Sequence, residues 1–166
     1  MEYKNIPDLK IENAELVFAP NFAGDDPKGY NRQHLPQFNV RIPDAIADDL
    51  IADGWPVQVW PREPDDEQEQ IYHLLITVRY DGYQPPTVYL VASNGQKTRI
   101  EDDEHFKKLM PGTKFKNIDL VIHPYQWEVN GKSGVKAYLG LGYFVVDSDP
   151  FEAKYATEES PEELPF

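Results

Sequence analysis

Cysteine is absent from the 166 residues. That excludes disulfides, thiolate metal sites and cysteine nucleophiles. No stretch is long and apolar enough to cross a membrane, and the start, MEYKNIPDLKIENAEL, has no apolar segment of signal-peptide length. A cytoplasmic, reducing setting is the expectation. Basic side chains are also scarce, 16 against 29 acidic ones, for a net charge of -13. Taken as an average, that argues against a general polyanion binder. The histidines, His34, His73, His105 and His123, are scattered, with no HxH or HExxH spacing. DDPKGYN (25–31) lacks calcium-loop spacing and a closing glutamate. No phosphate-cradling glycine loop with its lysine appears, and no serine sits in a nucleophile elbow. The expectation is a protein that is not an enzyme and holds no metal or cofactor.

What is present is a globular composition, 40% hydrophobic, with unevenly placed charge. REPDDEQE (62–69) carries five acids, EDDE (101–104) four, and the closing EESPEELPF four with no base. Residues 105–146 hold six lysines against Asp119 and Glu128, a local balance of +4. A binding surface is therefore sought there and in its neighbours.

Periodicity predicts strands over 14–22, with Leu16 and Phe18 on one face, and over 37–42, where Phe38, Val40 and Ile42 alternate with Asn39 and Arg41. Residues 43–55 read as a short helix on Ile46, Leu50 and Ile51, and 101–110 as another. Further strands are expected at 57–60, 71–80 (the longest), 87–93, 117–129 and 135–146. Asn-Gly in NGQK (94–97) favours a type I′ hairpin turn, NGKSG (130–134) reads as a second turn, and Pro124 should interrupt or end its strand. Six or seven strands joined by hairpin-length turns suit a small, mostly antiparallel barrel with one or two short helices. Residues 1–155 form the domain and 156–166 a disordered acidic tail.

Aromatics make up 13% of the chain, and several interleave with basic groups. Unpaired nucleic acid exposes base faces that stack on rings while Lys and Arg meet the phosphates. The fullest such pattern is HPYQWEVNGKSGVKAYLGLGYF (123–144). Alternation puts Tyr125 and Trp127 on one face, Lys136 and Tyr138 on one face of the next strand, and Lys132 in the turn. Closing the core is the competing reading for each ring, and the favoured one for Tyr143 and Phe144. Arg79 and Tyr80, at the end of the long strand, and Trp60, closing VQVW, are further candidates. So are Phe22, Tyr30 and Arg32 of the early loop, and Lys114 and Lys116 flanking Phe115. His73 reads as a core or interface residue.

The tail is too polar to fold alone yet ends in Leu164, Pro165 and Phe166. Its terminal ring and carboxylate suit a basic-rimmed apolar pocket on a partner. This ending resembles the acidic tip of bacterial single-stranded DNA-binding proteins. Residues 13–155 resemble the single-stranded DNA-binding proteins of tailed bacteriophages, through NFAG (21–24), YNR (30–32), DGW (53–55), VYLVASNGQ (88–96) and above all NIDLVIHPYQWEVNGKSGVKAYL (117–139). The resemblance implies an OB-fold-like five-stranded antiparallel barrel with extra strands. It also implies sequence-nonspecific binding of single strands during phage replication or recombination, in the cytoplasm of a bacterial host, without cofactor or metal. Trp127, Lys132, Lys136 and Tyr138 fall on its strongest motif, Phe22, Tyr30 and Arg32 on the early one, and Phe166 on the bacterial tip. The chain lacks the long Gly/Gln-rich linker of the bacterial proteins, so homo-oligomerisation stays open. The competing readings are an OB-like protein-interaction module without DNA binding, favoured by the acidic body, and a metal-dependent nuclease, disfavoured by the scattered His and acids.

Overall fold

The computed structural model describes residues 4–65 and 67–147. Nine strands and two helices lie among them. In chain order these are β1 (Leu9–Ile11), β2 (Leu16–Asn21), β3 (Gln37–Ile42), α1 (Asp44–Asp53), β4 (Gln58–Trp60), β5 (Ile71–Thr77), β6 (Thr87–Val91), β7 (Lys97–Ile100), α2 (Asp103–Leu109), β8 (Phe115–Val129) and β9 (Lys132–Val146). The expected domain boundary at 155 and the tail with Leu164, Pro165 and Phe166 lie outside the described residues.

The expected five-stranded antiparallel barrel is wrong. The strands form one mixed sheet in the order β1-β8-β9-β5-β3-β2, with β4 joined to β5 and the β6–β7 hairpin joined to β9. The sheet is not closed into a barrel. β9 is the reason. It runs antiparallel to β8 but parallel to β5 at Ala137 and Tyr138, and parallel to β6 from Leu141 to Val145. Hairpin turns make only antiparallel neighbours. Parallel ones come from long-range pairing, which turn chemistry does not announce.

Local expectations fared unevenly. Phe38, Val40 and Ile42 alternate inward as the sequence predicts. Both helices form, but α1 buries Ala47 and Leu50 while Ile46 and Ile51 stay exposed. Pro124 does not end its strand, since β8 runs 15 residues through it. Among the described residues β1 pairs β8 only at Leu120–Ile122, and no strand pairs its outer side past that point, where a missing N–H costs no ladder bond. Only Asn130 and Gly131 turn the β8–β9 hairpin, with φ of 52° and 78°, the signs that a type I′ turn requires. The type I′ expectation at Asn94-Gly95 fails. There Ala92 and Gln96 close a three-residue loop in which only Gly95 has positive φ.

The core collects phenylalanines. Phe22, Phe38, Phe106, Phe115 and Phe144 pack around one another with most centroids 5.3–6.5 Å apart. α2 delivers Phe106 to this cluster, and Asp102 caps the helix by accepting the His105 backbone N–H at 2.8 Å.

Candidate nucleic-acid interface

The twin long strands β8 and β9 set side chains in cross-strand pairs. His123 lies opposite Tyr138, Tyr125 opposite Lys136, and Trp127 opposite Gly134. Ala137 and Leu139 point into the core, so Lys136 and Tyr138 point away from it. The Tyr125 and Tyr138 rings meet edge to face, with centroids 5.6 Å apart, and Tyr125 is 53% exposed. Lys136 Nζ stands 5.7 Å from the Tyr138 centroid, a cation–π distance. Trp127 lies flat across β9 because residue 134 is glycine. A Cβ there would stand 2.7 Å from the indole ring. Lys132 is exposed beside the turn.

This face continues into a cleft of about 400 Å³ bordered by Arg79, Tyr83, His123, Tyr125 and Tyr138. The short parallel contact of β5 with β9 puts Thr77 beside Tyr138, and Arg79 follows two residues on, over the same side. The Tyr138 hydroxyl, then the Asp81 carboxylate at 3.0 Å from Arg79 Nε, raise the guanidinium pKa further. Arg79 therefore stays charged and held at the cleft wall. His123 Nδ1 lies 2.8 Å from Asp8 Oδ1. Tyr83, at the tip of the 81–86 loop, is 98% exposed.

Farther along the same side, Trp60 is 53% exposed and meets Phe18 edge to face at 5.6 Å. Phe18 also contacts the His73 ring at 5.0 Å. Burial lowers the His73 pKa, and its Nδ1 lies 2.9 Å from Asn39 Oδ1. Reading Leu16 and Phe18 on one face was wrong. A bulge in β2 after Val17, with Phe18 at φ 63°, turns this ring outward.

The other sequence candidates are not gathered here. Phe22 is 3% exposed in the phenylalanine cluster, so it cannot offer its ring to a ligand. Tyr80 donates its hydroxyl to the Ile100 carbonyl at 2.8 Å and packs on Phe106, and burial raises its pKa strongly. Phe22 is a core residue and Tyr80 packs against the core, a correction to the sequence reading. Lys116, at the far end of β8, is exposed about 36 Å of strand from Trp127, and the exposed Lys114 lies just before that strand. Tyr30 is 90% exposed and Arg32 exposed, both on the 24–36 loop. Sequence reasoning passed over Phe18, Tyr83 and the cleft position of His123. For Tyr83, a lone ring in a Gly- and Pro-rich loop was the available signal.

Among the described residues no cluster of His and acids could hold a metal ion, and no helix is long and apolar enough to cross a membrane. Rings on adjacent strands with cations at their margins have the chemistry that stacks unpaired bases and meets their phosphates. The family model described as "Putative phage ssDNA-binding domain" matches residues 1–163, and the chain belongs to this phage single-stranded DNA-binding family. No curated protein matches the sequence. Among solved structures, the single-stranded DNA-binding protein from bacteriophage Enc34 aligns with a TM-score of 0.50 and 14% identity, over 87% of this chain and 83% of that one. Its C-terminal truncation aligns at 0.49 and 15%, over 87% and 88%. The gp2.5 single-stranded DNA-binding protein encoded by bacteriophage T7 aligns at 0.36 and 16%, over 93% and 96%. At such identities the Enc34 likeness concerns the fold alone.

Proposed function

We propose that this protein binds single-stranded DNA with little sequence preference in phage replication or recombination. In this reading bases stack on Tyr125, Trp127 and Tyr138 while Lys132, Lys136 and Arg79 meet the phosphates. The exposed Trp60, with Phe18, extends the surface at one end. The observation that carries the proposal is the cross-strand pairing of Tyr125 with Lys136 beside Tyr138, which alternates rings and cations on an outward sheet face. Stacking needs only a π-face, which every base has, so binding is tolerant of sequence. The -13 overall charge opposes general attraction to DNA, and a duplex hides its base faces. Both effects favour single strands over duplex.

The acidic tail ending in Leu164, Pro165 and Phe166 is assigned the recruitment of replication or recombination proteins, on its charge and apolar tip. Deleting 156–166 should leave DNA affinity unchanged or tighter, because repelling acids are lost. A marked fall in affinity would remove the tail from this role.

The central test is fluorescence titration of oligothymidine and of duplex DNA of equal length at low salt. Tyr125→Ala and Tyr138→Ala should each weaken single-strand binding by about 1–3 kcal/mol. Absence of single-strand binding by the intact chain would leave protein interaction as the function. Full affinity in both folded variants would move the contact elsewhere on the molecule.

A further inference from the structure

The outward face of β9 does not stop at the hairpin platform. Beyond Tyr138 the β8–β9 register shifts by one residue at Gly140, so the outward positions become Leu141 and Tyr143 while Gly142 and Phe144 turn inward. The bulge leaves no gap on the surface. A Cβ on Gly140 would stand 2.4 Å from His123 Nε2, so the imidazole lies across this glycine and bridges Tyr138 to the far half of the strand.

That far half carries a second group of rings and cations. Parallel pairing sets Tyr89 directly beside Tyr143, and their rings stack with centroids 5.3 Å apart and planes 13° from parallel. Lys97 Nζ stands 5.4 Å from the Tyr143 centroid, and Arg99 faces Tyr89 across the β6–β7 ladder. Lys97 and Arg99 are exposed, and both tyrosines are half-buried. The acid nearest in register, Asp119 opposite Tyr143, is turned to its own chain. Its oxygens accept from the Asn13 backbone N–H at 2.8 Å and from the Asn117 amide at 2.9 Å.

We infer that Tyr89, Tyr143, Lys97 and Arg99 form a second stacking site, onto which one DNA strand continues from the Tyr125–Tyr138 platform. The inference rests on the function proposed above and adds a ligand contact to it. Two arguments favour a DNA strand over a protein partner. Cations flank the rings, complementing phosphates, and the patch is continuous with the platform through His123. Tyr138 and Tyr143 are five residues apart, about 17 Å along β9, so a strand reaching both must be several nucleotides long.

Titration with two oligothymidines, of roughly four and roughly sixteen nucleotides, separates the sites. The intact chain should bind the longer one more tightly. Tyr143→Ala should weaken binding of the longer oligonucleotide about tenfold or more and leave the shorter one unaffected. Lys97→Ala, at an exposed position, should lower the salt slope for the longer oligonucleotide by about 0.7 with an unchanged thermal melt. Equal affinity of the intact chain for both lengths would overturn the second site. So would full affinity and an unchanged slope for the longer strand in Tyr143→Ala and Lys97→Ala, or an equal loss on both lengths. Each of those results is compatible with a working hairpin platform. Failure of the platform itself reads differently, as full affinity for the shorter strand in Tyr125→Ala and Tyr138→Ala.

Discussion

If Lys132, Lys136 and Arg79 each meet one phosphate, binding must weaken with salt in a calculable way. For single strands the logarithm of affinity falls by about 0.7 per neutralised phosphate for each logarithmic unit of salt. Three contacts give a slope of about -2, and affinity should drop about 16-fold between 50 and 200 mM salt. Lys136→Gln removes one contact, so its slope should be about -1.4 and its loss about sevenfold over the same range. Tyr125→Ala should behave differently, with weaker binding at every salt concentration and an unchanged slope, because stacking releases no counterion. Asp81 tests the same logic in reverse. Its carboxylate lies 3.0 Å from Arg79 Nε, so Asp81→Asn frees that charge and should tighten binding at low salt. Strands long enough to reach Lys97 and Arg99 add two contacts, for a slope of about -3.5. The assay is fluorescence titration across a salt series, with the variants run in parallel. A slope near zero for the intact chain, or one that Lys132→Gln and Lys136→Gln leave untouched, would refute phosphate contact at this hairpin.

Three other perturbations test separate parts of the structure. Gly134→Val puts a side chain where the indole of Trp127 now lies, 2.7 Å from an ideal Cβ. The ring must lift, at a cost of about 1–3 kcal/mol, and both thermal melting and the tryptophan emission maximum should shift. An unchanged melt and spectrum would mean the indole does not rest there. Phe22→Ala empties part of the phenylalanine cluster and should cost about 3–5 kcal/mol in urea unfolding. A small loss of stability with a large loss of DNA affinity would restore Phe22 as a contact. Burial lowers the His73 pKa below the ordinary 6.5, so the unfolded chain takes up that proton first. Its contribution to stability is present above pH 6.5 and is lost as pH falls through the folded value, and His73→Gln should flatten that stretch of the urea-midpoint profile. The same acid dependence in both proteins would assign it to other groups.

Much of the candidate surface is legible from spacing because it lies on one hairpin. Period-two alternation put Tyr125 with Trp127 and Lys136 with Tyr138, and Asn130-Gly131 supplied the turn that sets the strands face to face. Alternation failed where the backbone departs from an even count. One bulge turned Phe18 outward, and another at Gly140 exchanged the faces of Tyr143 and Phe144. Nor does alternation say which face is covered. Phe22 and Tyr80 read as exposed candidates until the phenylalanine cluster and the Ile100 carbonyl accounted for them.

By itself the sequence determined the exclusions that follow from having no cysteine, most of the strand positions, the two short helices and the main hairpin. Each comes from residue type, short-range period or turn chemistry, which act over a few residues. Only the tertiary structure decided that the sheet stays open and mixed, and that β5 and β6 flank β9 in parallel. That arrangement puts Arg79 against Tyr138 and Tyr89 against Tyr143. Those residues are far apart in the chain, and what joins them is burial of one sheet face against the core, a collective choice that no local pattern encodes.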